Sequence, residues 1–497
     1  MTADHPLSRR IAHVLDLQPD AHAIEYAGQW ISWHQVNDLA RHLSALTARQ
    51  GARSQVGMLL RNRPGHVAAL LGVLLSGGTV VTINPSRGDE RTRADIAALR
   101  LPLVAGEPDD LATFVTAAHH TETVPIPALL DTPPGAPMPS PSRTGPVAEP
   151  DVAVRMLTSG TTGPPKRVDL SYDMLAHTVM GGEPDRATAP TELRRGVAIV
   201  NSPLVHIGGV FRVLQCVTDA RPFVLLDRFE LDTWAAAVRK HRPRTVSLVP
   251  AALRTVLHSG LPRADLAGVR AVTCGTAPLS ADDADAFTEK YGIPVLTSYA
   301  ATEFGGGVAG WTLADYQRHW RAKRGSVGRP NPGSELRVVD ESGTPLGPDQ
   351  VGLLEVKAAQ MGASAPWMRT TDLARIDDDG FVWIVGRADQ AIVRGGFKVM
   401  PDDVRTALES HPAVAGAAVV ARSDDRLGET PVAMVELREA ASTDELIEFL
   451  GKRLARYEIP TDLAIVDAIP RTPSGKPDID AVRSFFSDTA AHSDHGR

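Results

Sequence analysis

Short apolar runs alternate with amphipathic stretches along the first part of the chain. Residues 33–46 and 66–75 carry apolar side chains at a spacing that favours helices. Residues 56–60 and 79–83 are short apolar runs of the kind found in buried strands. Because strands and helices alternate, the pattern predicts an α/β architecture with a largely parallel sheet.

A second alternation follows further along the chain. Its short strand-like runs lie at residues 196–200, 223–226, 245–249, 271–274 and 295–298. A helix is predicted between them at 231–241. From 334 to 357 closely spaced strands with turn signals predict a small β subdomain. Residues 131–150, with seven prolines and two glycines, are predicted to be an extended surface connection.

From about residue 390 the predicted elements form a separate, smaller unit. Two helices and two strands are predicted there, at 401–410, 443–455, 414–421 and 432–437. Ser442 or Thr443 is the candidate N-cap of the second helix. This is a compact α+β unit of roughly 100 residues, large enough to be a separate domain. The polar tail after Ser487 is predicted to be disordered.

These elements predict a two-domain organisation. A large N-terminal domain of mixed, mostly parallel sheets with a small β subdomain covers residues 1–388. A small α+β C-terminal domain covers residues 389–497. The sequence contains no internal repeats and no coiled-coil heptads, and it leaves the oligomeric state undetermined.

Composition and charge narrow the classes of function. The 497 residues are 43% hydrophobic and 22% charged, which is ordinary for a globular protein, and the formal net charge is -7. Neither a nucleic-acid partner nor a polybasic membrane anchor is therefore expected. The two cysteines, Cys216 and Cys274, cannot form a disulfide framework. Because no signal-peptide core and no apolar run of 18 residues occur, we expect a cytoplasmic protein without membrane insertion.

The strongest local signal is a loop rich in hydroxyl side chains and glycine. It follows an apolar run at 152–157 and ends on a lysine. Its candidate ATP-binding residues are Thr158, Ser159, Gly160, Thr161, Thr162, Gly163 and Lys166. Backbone N–H groups and hydroxyls at this density favour phosphate binding, and the lysine adds a positive charge. The order differs from that of a Walker A loop.

With the motifs that follow it, this loop resembles the adenylate-forming superfamily of acyl- and aryl-CoA ligases, peptide-synthetase adenylation domains and luciferases. The motifs closest to those of acyl-CoA ligases occur in the family's order: 201–209 (NSPLVHIGG), 273–279 (TCGTAPL), 299–303 (YAATE), 369–373 (RTTDL), 386–389 (GRAD) and 470–476 (PRTPSGK). Each short motif is weak alone, whereas the ordered set is specific and spans nearly the whole chain.

The resemblance implies how ATP is bound. The adenine-side loop would be formed by Gly275, Thr276 and Ala277, and Tyr299 would stack on the base. Asp372 would accept hydrogen bonds from both ribose hydroxyls, for which an acceptor-only carboxylate is suited. Arg387 would also reach the ribose.

The resemblance also implies the catalytic groups. Lys476 would orient the attacking carboxylate and the α-phosphate and offset the developing charge. Thr302 would donate a hydrogen bond to the α-phosphate, and Glu303 would bind Mg²⁺ together with phosphate oxygens. His206 would gate access between the acid and the thiol tunnel, with no acid–base role assigned.

Domain rotation is a further implication of the resemblance. Asp389 would be the hinge about which the small domain turns between two half-reactions. The first orientation would place Lys476 in the site. The second would bring in Gly395, Gly396 and Lys398 to line a pantetheine tunnel, because paired glycines permit close approach of a thin chain.

The acid pocket is less determined than the nucleotide site. Its candidate lining residues are Phe211, Val249, Ala300, Ala301 and Gly305. The chain departs from the family pattern at Ala300 and Thr371, each of which stands where glycine is usual. It also departs at Arg167 and Pro477, which follow the two motif lysines. Each departure leaves the reactive groups in place but bears on the substrate.

The predicted function is ATP-dependent activation of a small or medium, aryl or acyl carboxylic acid as its adenylate, followed by thioester formation with coenzyme A. One alternative is an adenylation enzyme that loads a separate carrier protein. Another is activation of an unusual acid such as nitrite, for diazotisation of an aromatic amine. A third is a non-catalytic nucleotide-binding protein. The identity of the acid stays open.

Overall fold

The computed structural model describes most of the chain. The described residues are 4–51, 54–115, 121–129, 151–158, 166–394, 397–424, 426–472 and 475–493. The predicted connection at 131–150 lies outside them. No helix among the described residues has the length and apolar character needed to cross a bilayer.

The described helices are distributed along the whole chain. They are α1 (Pro6–Leu17), α2 (Trp33–Arg49), α3 (Pro64–Leu75), α4 (Asp89–Leu99), α5 (Pro108–Phe114), α6 (Tyr172–Met180), α7 (Ile207–Thr218), α8 (Leu231–His241), α9 (Pro250–His258), α10 (Ala281–Tyr291), α11 (Leu313–His319), α12 (Pro401–Glu409), α13 (Thr443–Gly451) and α14 (Ile479–Ser493). Short 3₁₀ helices lie at Arg263–Leu266, Thr302–Phe304, Ala359–Met361 and Ala388–Gln390.

The described strands lie between these helices. They are β1 (His22–Tyr26), β2 (Gln29–Ser32), β3 (Gln55–Leu59), β4 (Thr79–Ile83), β5 (Leu103–Gly106), β6 (Glu122–Pro125), β7 (Val152–Thr158), β8 (Lys166–Ser171), β9 (Ala198–Val200), β10 (Phe223–Leu225), β11 (Thr245–Leu248), β12 (Ala271–Cys274), β13 (Val295–Ala301), β14 (Gly306–Gly310), β15 (Arg329–Pro330), β16 (Glu335–Val339), β17 (Gly352–Lys357), β18 (Met368–Ile376), β19 (Val382–Arg387), β20 (Ile392–Arg394), β21 (Phe397–Val399), β22 (Val414–Asp424), β23 (Gly428–Leu437) and β24 (Asp462–Val466).

Three mixed sheets form most of the part up to β19, which we call the large domain. Their strand orders are β6-β5-β3-β4-β7-β8, β2-β1-β10-β9 and β11-β12-β13-β14-β15. Pairing is parallel within β6-β5-β3-β4-β7, β1-β10-β9 and β11-β12-β13, and antiparallel at the edges. The antiparallel sheet β16-β17-β18-β19 is the β subdomain expected from the close-set pattern. The predicted fold class is therefore confirmed.

Local sequence signals explain why these elements form where they do. Helix α2 begins at a capping box in which the Ser32 side chain accepts from the Gln35 amide and the Gln35 side chain accepts from the Ser32 amide. Strand β4 is buried at all five positions, as expected for a parallel strand covered on both faces. Close packing explains the glycine at position 78, just before this strand. A Cβ atom there would lie 2.6 Å from Thr47 Cγ2.

Two main hydrophobic cores hold the large domain together. The first packs helices α1, α2, α3, α6 and α7 on the sheets around β3 and β1, and it contains Cys216. The second packs α8, α9 and α10 on β11 to β13, and it contains Cys274. Both cysteines are free and buried. Burial of these apolar surfaces is the main source of stability for the domain.

The part from β20 onward, which we call the small domain, has its own sheet and cores. Strands β21-β20-β23-β22 are antiparallel, and β24 pairs with β23 in parallel. Helices α12 and α13 pack on one side, around Val404, Leu408, Leu446 and Leu450. The Ser442 side chain accepts from the Glu445 amide, which confirms this residue as the N-cap of α13.

The predicted disorder after Ser487 is wrong for residues up to Ser493. Helix α14 continues through this segment to Ser493. Val482 and Phe486 on the preceding turns are buried against the small-domain sheet, so the helix is anchored by packing. Ala490 and Ala491 in this segment favour continuation of the helix, because alanine has the highest helix propensity.

Candidate active site

The two predicted ribose-side residues lie directly opposite each other on neighbouring strands. Asp372 of β18 is the register partner of Arg387 at the end of β19. The Asp372 amide donates to Thr370 Oγ1 at 3.0 Å, which fixes the local backbone of β18. Sequence analysis identified both residues from separate motifs, and the strand register brings them together.

Arg387 is held by two further groups. Its Nε and Nη2 atoms donate to the two carboxylate oxygens of Asp389 at 2.9 and 2.7 Å. Nη2 also donates to Thr371 Oγ1 at 2.6 Å. Desolvation alone would raise the pKa of Asp389, but the hydrogen bonds and charge of Arg387 outweigh it and lower that pKa. Thr371 lies in the extended backbone of β18, so the strand forms without a glycine there.

Tyr299, near the end of β13, contacts the ribose-side pair. Its hydroxyl donates to Asp372 Oδ2. Burial, and secondarily the Asp372 charge, raises the pKa of Tyr299, so the hydroxyl keeps its proton. Desolvation also raises the pKa of Asp372 in spite of this hydrogen bond and the nearby Arg387. The predicted roles of Tyr299 and Asp372 toward adenine and ribose remain predictions.

The predicted adenine-side loop follows β12 and has a constrained backbone. A Cβ atom at Gly275 would lie 2.9 Å from Ser298 Oγ of β13, so a side chain at this position would displace the Ser298 hydroxyl. Thr276 has φ 79°, which is rare for a β-branched residue. Such strain is often found at ligand-binding loops. Ala277 follows in the turn before α10.

The phosphate loop predicted at 158–166 is described only at its two ends. Thr158 of β7 and Lys166 of β8 are antiparallel register partners. Ser159, Gly160, Thr161, Thr162 and Gly163 lie outside the described residues. Arg167 Nη2 donates to Asp95 Oδ2 at 2.6 Å and Nη1 donates to the Thr82 carbonyl at 3.0 Å. This arginine therefore ties β8 to α4 and β4.

The predicted catalytic residues Thr302 and Glu303 form a 3₁₀ turn directly after β13. The Glu303 side chain is exposed. Among the described residues, no group of three or more His, Cys, Asp or Glu side chains could hold a metal ion. Mg²⁺ typically binds through one or two carboxylates and the phosphate oxygens of its nucleotide. A single carboxylate at Glu303 therefore fits this ion.

His206 is the N-cap residue of α7. Its Nε2 atom is buried and has no hydrogen-bond partner among the described residues. Burial, and secondarily the positive charge of Lys476, lowers the pKa of His206 to about 4, so the ring is neutral at neutral pH. Gly209 is required one turn later, because a Cβ atom there would lie 2.1 Å from the Pro203 carbonyl oxygen.

Lys476 brings the small domain into this cluster. Desolvation by the surrounding protein lowers the pKa of Lys476, the charge of Arg387 lowers it further, and Asp372 and Glu303 act in the opposite direction. The side chain nevertheless keeps solvent access. A residue that is both surrounded and accessible lines an open cleft, which is the position required of a group that meets a ligand.

A tight turn presents this lysine. The Thr472 amide donates to the Lys476 carbonyl at 2.7 Å, and Arg471 pairs with Pro477 across the turn. Gly475 has φ 80°. A Cβ atom on Gly475 would lie 3.7 Å from Val249 Cγ2 of the large domain. The turn from 471 to 477, which we call the Lys476 turn, therefore rests on the residue that precedes α9.

The other predicted acid-pocket residues are dispersed around β13 and α7. A Cβ atom on Gly306 would lie 3.4 Å from the Phe211 ring, which places this ring beside β14. Ala300 is exposed and Ala301 is half-buried at the end of β13. Gly305 faces Met174, whose Cε would lie 2.5 Å from an added Cβ atom. The assignment of these residues to an acid pocket remains a prediction.

Two of the four predicted hinge and tunnel residues, Asp389 and Lys398, are among the described residues. Asp389 belongs to the 3₁₀ turn between the domains. Gly395 and Gly396 lie outside the described residues, and Lys398 is in β21. Val393 and Phe397, which flank the glycine pair, are 47% and 57% exposed. The β20–β21 hairpin thus presents apolar side chains to solvent.

Comparison with protein families identifies the scaffold. The model described as AMP-binding enzyme matches residues 11–363, and the model described as AMP-binding enzyme C-terminal domain matches residues 403–476. The chain belongs to the AMP-binding enzymes. The predicted membership of the adenylate-forming superfamily is therefore confirmed.

Curated relatives include CoA ligases. The chain is 33% identical to 4-coumarate–CoA ligase-like 8 of Arabidopsis thaliana, with a match over 66% of this chain and 61% of the relative. It is 28% identical to indoleacetate–CoA ligase of Aromatoleum aromaticum, over 97% of this chain and 98% of the relative. The family and these relatives support the predicted class, an AMP-forming acid–CoA ligase that uses ATP and coenzyme A as co-substrates. A solved neighbour, o-succinylbenzoate CoA synthetase from Bacillus subtilis, is in complex with ATP and a magnesium ion, at 22% identity and a TM-score of 0.77.

The solved structures support the fold. MatB from Rhodopseudomonas palustris with ATP bound has a TM-score of 0.81 at 24% identity, covering 98% of this chain and 100% of that chain. The apo form of the same protein, with the same coverage, has a TM-score of 0.68. Both forms share the fold described above over nearly the whole chain.

Sequence reasoning missed the contacts between the domains. Arg254 and Glu409 form a bidentate ion pair across the interface. Arg438 of the small domain approaches His258 of the large domain, with 3.1 Å between Nη1 and Nδ1. The partners are separated by more than a hundred residues, and each belongs to an ordinary amphipathic helix or strand end. No local motif marks them.

Proposed function

We propose that the chain activates a small or medium, aryl or acyl carboxylic acid with ATP and transfers the acyl group to coenzyme A. The observation that carries this proposal is the position of Lys476. This lysine of the small domain is accessible to solvent. The charges of Glu303, Asp372 and Arg387 of the large domain act on its ammonium group. This is the arrangement that acid adenylation requires.

In the first half-reaction a carboxylate oxygen attacks the α-phosphorus of ATP, and pyrophosphate leaves. The Lys476 ammonium would orient the acid and offset the charge that develops on the phosphoryl oxygens. Asp372 would hold the ribose, and Thr302 would donate to the α-phosphate. Mg²⁺, held by Glu303 and phosphate oxygens, would supply further charge compensation.

In the second half-reaction the thiol of coenzyme A attacks the acyl carbonyl, and AMP leaves. We propose that residues 389–497 turn about Asp389 to open the site for the thiol. The exposed Val393 and Phe397 support this rotation, because apolar side chains next to Gly395-Gly396 would find a partner surface in the second orientation. Neutral His206, whose Nε2 has no partner in the described part of the chain, would stand at the gate between the acid and the thiol.

The names of the relatives point toward aromatic acids. One acts on indoleacetate, and another is called 4-coumarate–CoA ligase-like. The residues at the end of β13 are small, and the Phe211 ring lies beside Gly306. A flat aromatic acid would fit against such a surface. We therefore place aryl acids first and medium acyl chains second. We expect the protein to act in the cytoplasm.

The experiment measures pyrophosphate release with ATP and Mg²⁺ across aliphatic and aromatic carboxylic acids, with and without coenzyme A, and identifies products by mass. A CoA thioester among the products supports the proposal and names the acid. Release with an acid but no thioester would indicate a carrier-protein acceptor. Release only with nitrite and an aromatic amine would contradict the carboxylic-acid assignment. No release with any acid would favour a non-catalytic nucleotide-binding protein.

A further inference from the structure

A buried ion-pair chain joins α9 of the large domain to α12 of the small domain. Arg254 Nε donates to Asp283 Oδ2 at 2.7 Å. Its Nη1 and Nη2 donate to Glu409 Oε1 and Oε2 at 3.1 and 2.7 Å. The side chains of Arg254 and Glu409 are only 13% and 6% exposed. A paired guanidinium and carboxylate in this bidentate geometry fix orientation as well as distance.

Each member of this pair keeps a second partner within its own domain. Glu409 Oε2 also accepts from Arg405 Nη1 at 2.6 Å, and Oε1 accepts from the Ala417 amide at 3.3 Å. Arg254 has Asp283. An ion left alone after losing a buried partner costs several kcal/mol. Because neither Arg254 nor Glu409 would be left alone, the two domains can separate at this point without that penalty.

The same helix supports the Lys476 turn. Val249, which precedes α9, lies against Gly475, Arg254 lies one turn into the helix, and His258 at its last residue approaches Arg438. Positions 254 and 258 are four residues apart and therefore share a helix face. The small domain is thus aligned along α9, and a shift at Glu409 would also shift the turn that presents Lys476.

We propose that Arg254 and Glu409 are positioning residues that hold the small domain in the adenylate-forming orientation. They lie outside the reactant cluster and act through Lys476. Their bond must open before the small domain turns toward thioester formation. This inference rests on the proposed function for its kinetic consequence, whereas the orientation itself can be measured without any acid.

The kinetic test separates the two half-reactions in Glu409→Gln and Arg254→Gln. A hydrogen bond between charged groups contributes about 1.5–3 kcal/mol, so we expect kcat for adenylate formation to fall by about tenfold or more. KM for ATP should change little, and thioester formation from a supplied acyl-adenylate should be unchanged or faster. Arg254→Lys should restore part of the loss. Arg239→Gln is the matched control, because its partner Asp265 lies in the same domain.

The conformational test uses fluorescent labels on cysteines introduced at exposed Thr233 and Ser423, one in each domain. Energy transfer is measured without acid or nucleotide in the parent protein and in each variant. We expect Glu409→Gln and Arg254→Gln to shift the transfer efficiency and Arg239→Gln to leave it unchanged. The double variant should resemble the single variants, because both remove the same contact.

The outcomes distinguish this inference from the proposed function. A shift in energy transfer supports the inference even where the parent protein activates no carboxylic acid, a result that would contradict the proposed function alone. Unchanged energy transfer in both folded variants overturns the inference. An equal fall in both half-reactions with unchanged melting and energy transfer also overturns it. If Arg254→Gln fails to fold, Glu409→Gln decides alone, since Arg254 then retains Asp283.

Discussion

The small domain contains two loops with opposite surroundings. The Lys476 turn packs against Val249 of the large domain. The charges of Glu303, Asp372 and Arg387 act on the pKa of its lysine. The β20–β21 hairpin instead exposes Val393 and Phe397 to solvent. One domain therefore presents a docked loop and a largely exposed apolar hairpin, whose Phe397 ring stacks on Tyr457 of the same domain. The difference indicates that the arrangement described here serves only the first of the two proposed half-reactions.

The largest expected effect comes from the docked loop. Lys476→Ala should slow adenylate formation by about 10²–10³-fold, because a fixed positive charge near the α-phosphate is lost. ATP should still bind, and thioester formation from a supplied acyl-adenylate should continue. The measurement is single-turnover pyrophosphate release alongside ATP binding by calorimetry. Pyrophosphate release at the rate of the unmodified protein would remove Lys476 from the reaction.

The ribose-side pair should show the next largest effect. In Asp372→Ala the charged acceptor is lost, which corresponds to about 1.5–3 kcal/mol, or roughly 10- to 150-fold in ATP affinity. The expected change is in binding more than in the chemical step. Asp349→Ala is the matched control, because Asp349 pairs with Arg375 of the same strand β18 on the surface. Equal ATP affinity of both variants would reject the ribose contact.

A bulky substitution in the exposed hairpin should slow the second half-reaction instead of the first. Gly396→Trp would place a bulky side chain where the proposed pantetheine tunnel needs space, so thioester formation should slow by about tenfold. Adenylate formation should be spared. Gly260→Trp is the control, because no atom of the described residues lies within 4 Å of an added Cβ at that position. If Gly396→Trp slows both half-reactions equally, the assignment of the two loops to separate steps is wrong.

The smallest expected effect is a shift along the pH axis. Because desolvation lowers the pKa of Lys476, its ammonium is lost at a lower pH than that of an ordinary lysine. The kcat/KM for ATP should therefore decline as pH rises through this lowered pKa, since kcat/KM reports the free enzyme. Lys476→Arg keeps its charge and should abolish the decline. An alkaline limb identical in both proteins would assign the titration to another group.

The sequence predicted elements best where local signals and burial agree. Strand Ala271–Cys274 and helix Leu231–His241 have the predicted bounds, because apolar periodicity and the flanking residues mark the same ends. Strand β23 begins at Gly428 instead of 432, since its first residues pair with β22 although they are polar. Pairing, unlike hydropathy, has no local signal at such a position.

The candidate site could be predicted as separate motifs but not as an assembly. Asp372 and Arg387 were both identified, yet their direct pairing depends on a register that the motifs do not contain. The bonds of Thr371 and Asp389 to Arg387 depend on side-chain directions. The Arg254–Glu409 pair depends on how two domains meet. Geometry of this kind follows from tertiary packing rather than from residue order.

The two buried cysteines have a practical consequence for following these motions. Burial raises the pKa of Cys216 to about 11 and that of Cys274 to about 12. The thiolate is the form that reacts with alkylating labels, and it is scarce in both at neutral pH. Maleimide dyes should therefore modify only thiols introduced on the surface. The native chain can serve directly as the labelling background, with both cores intact.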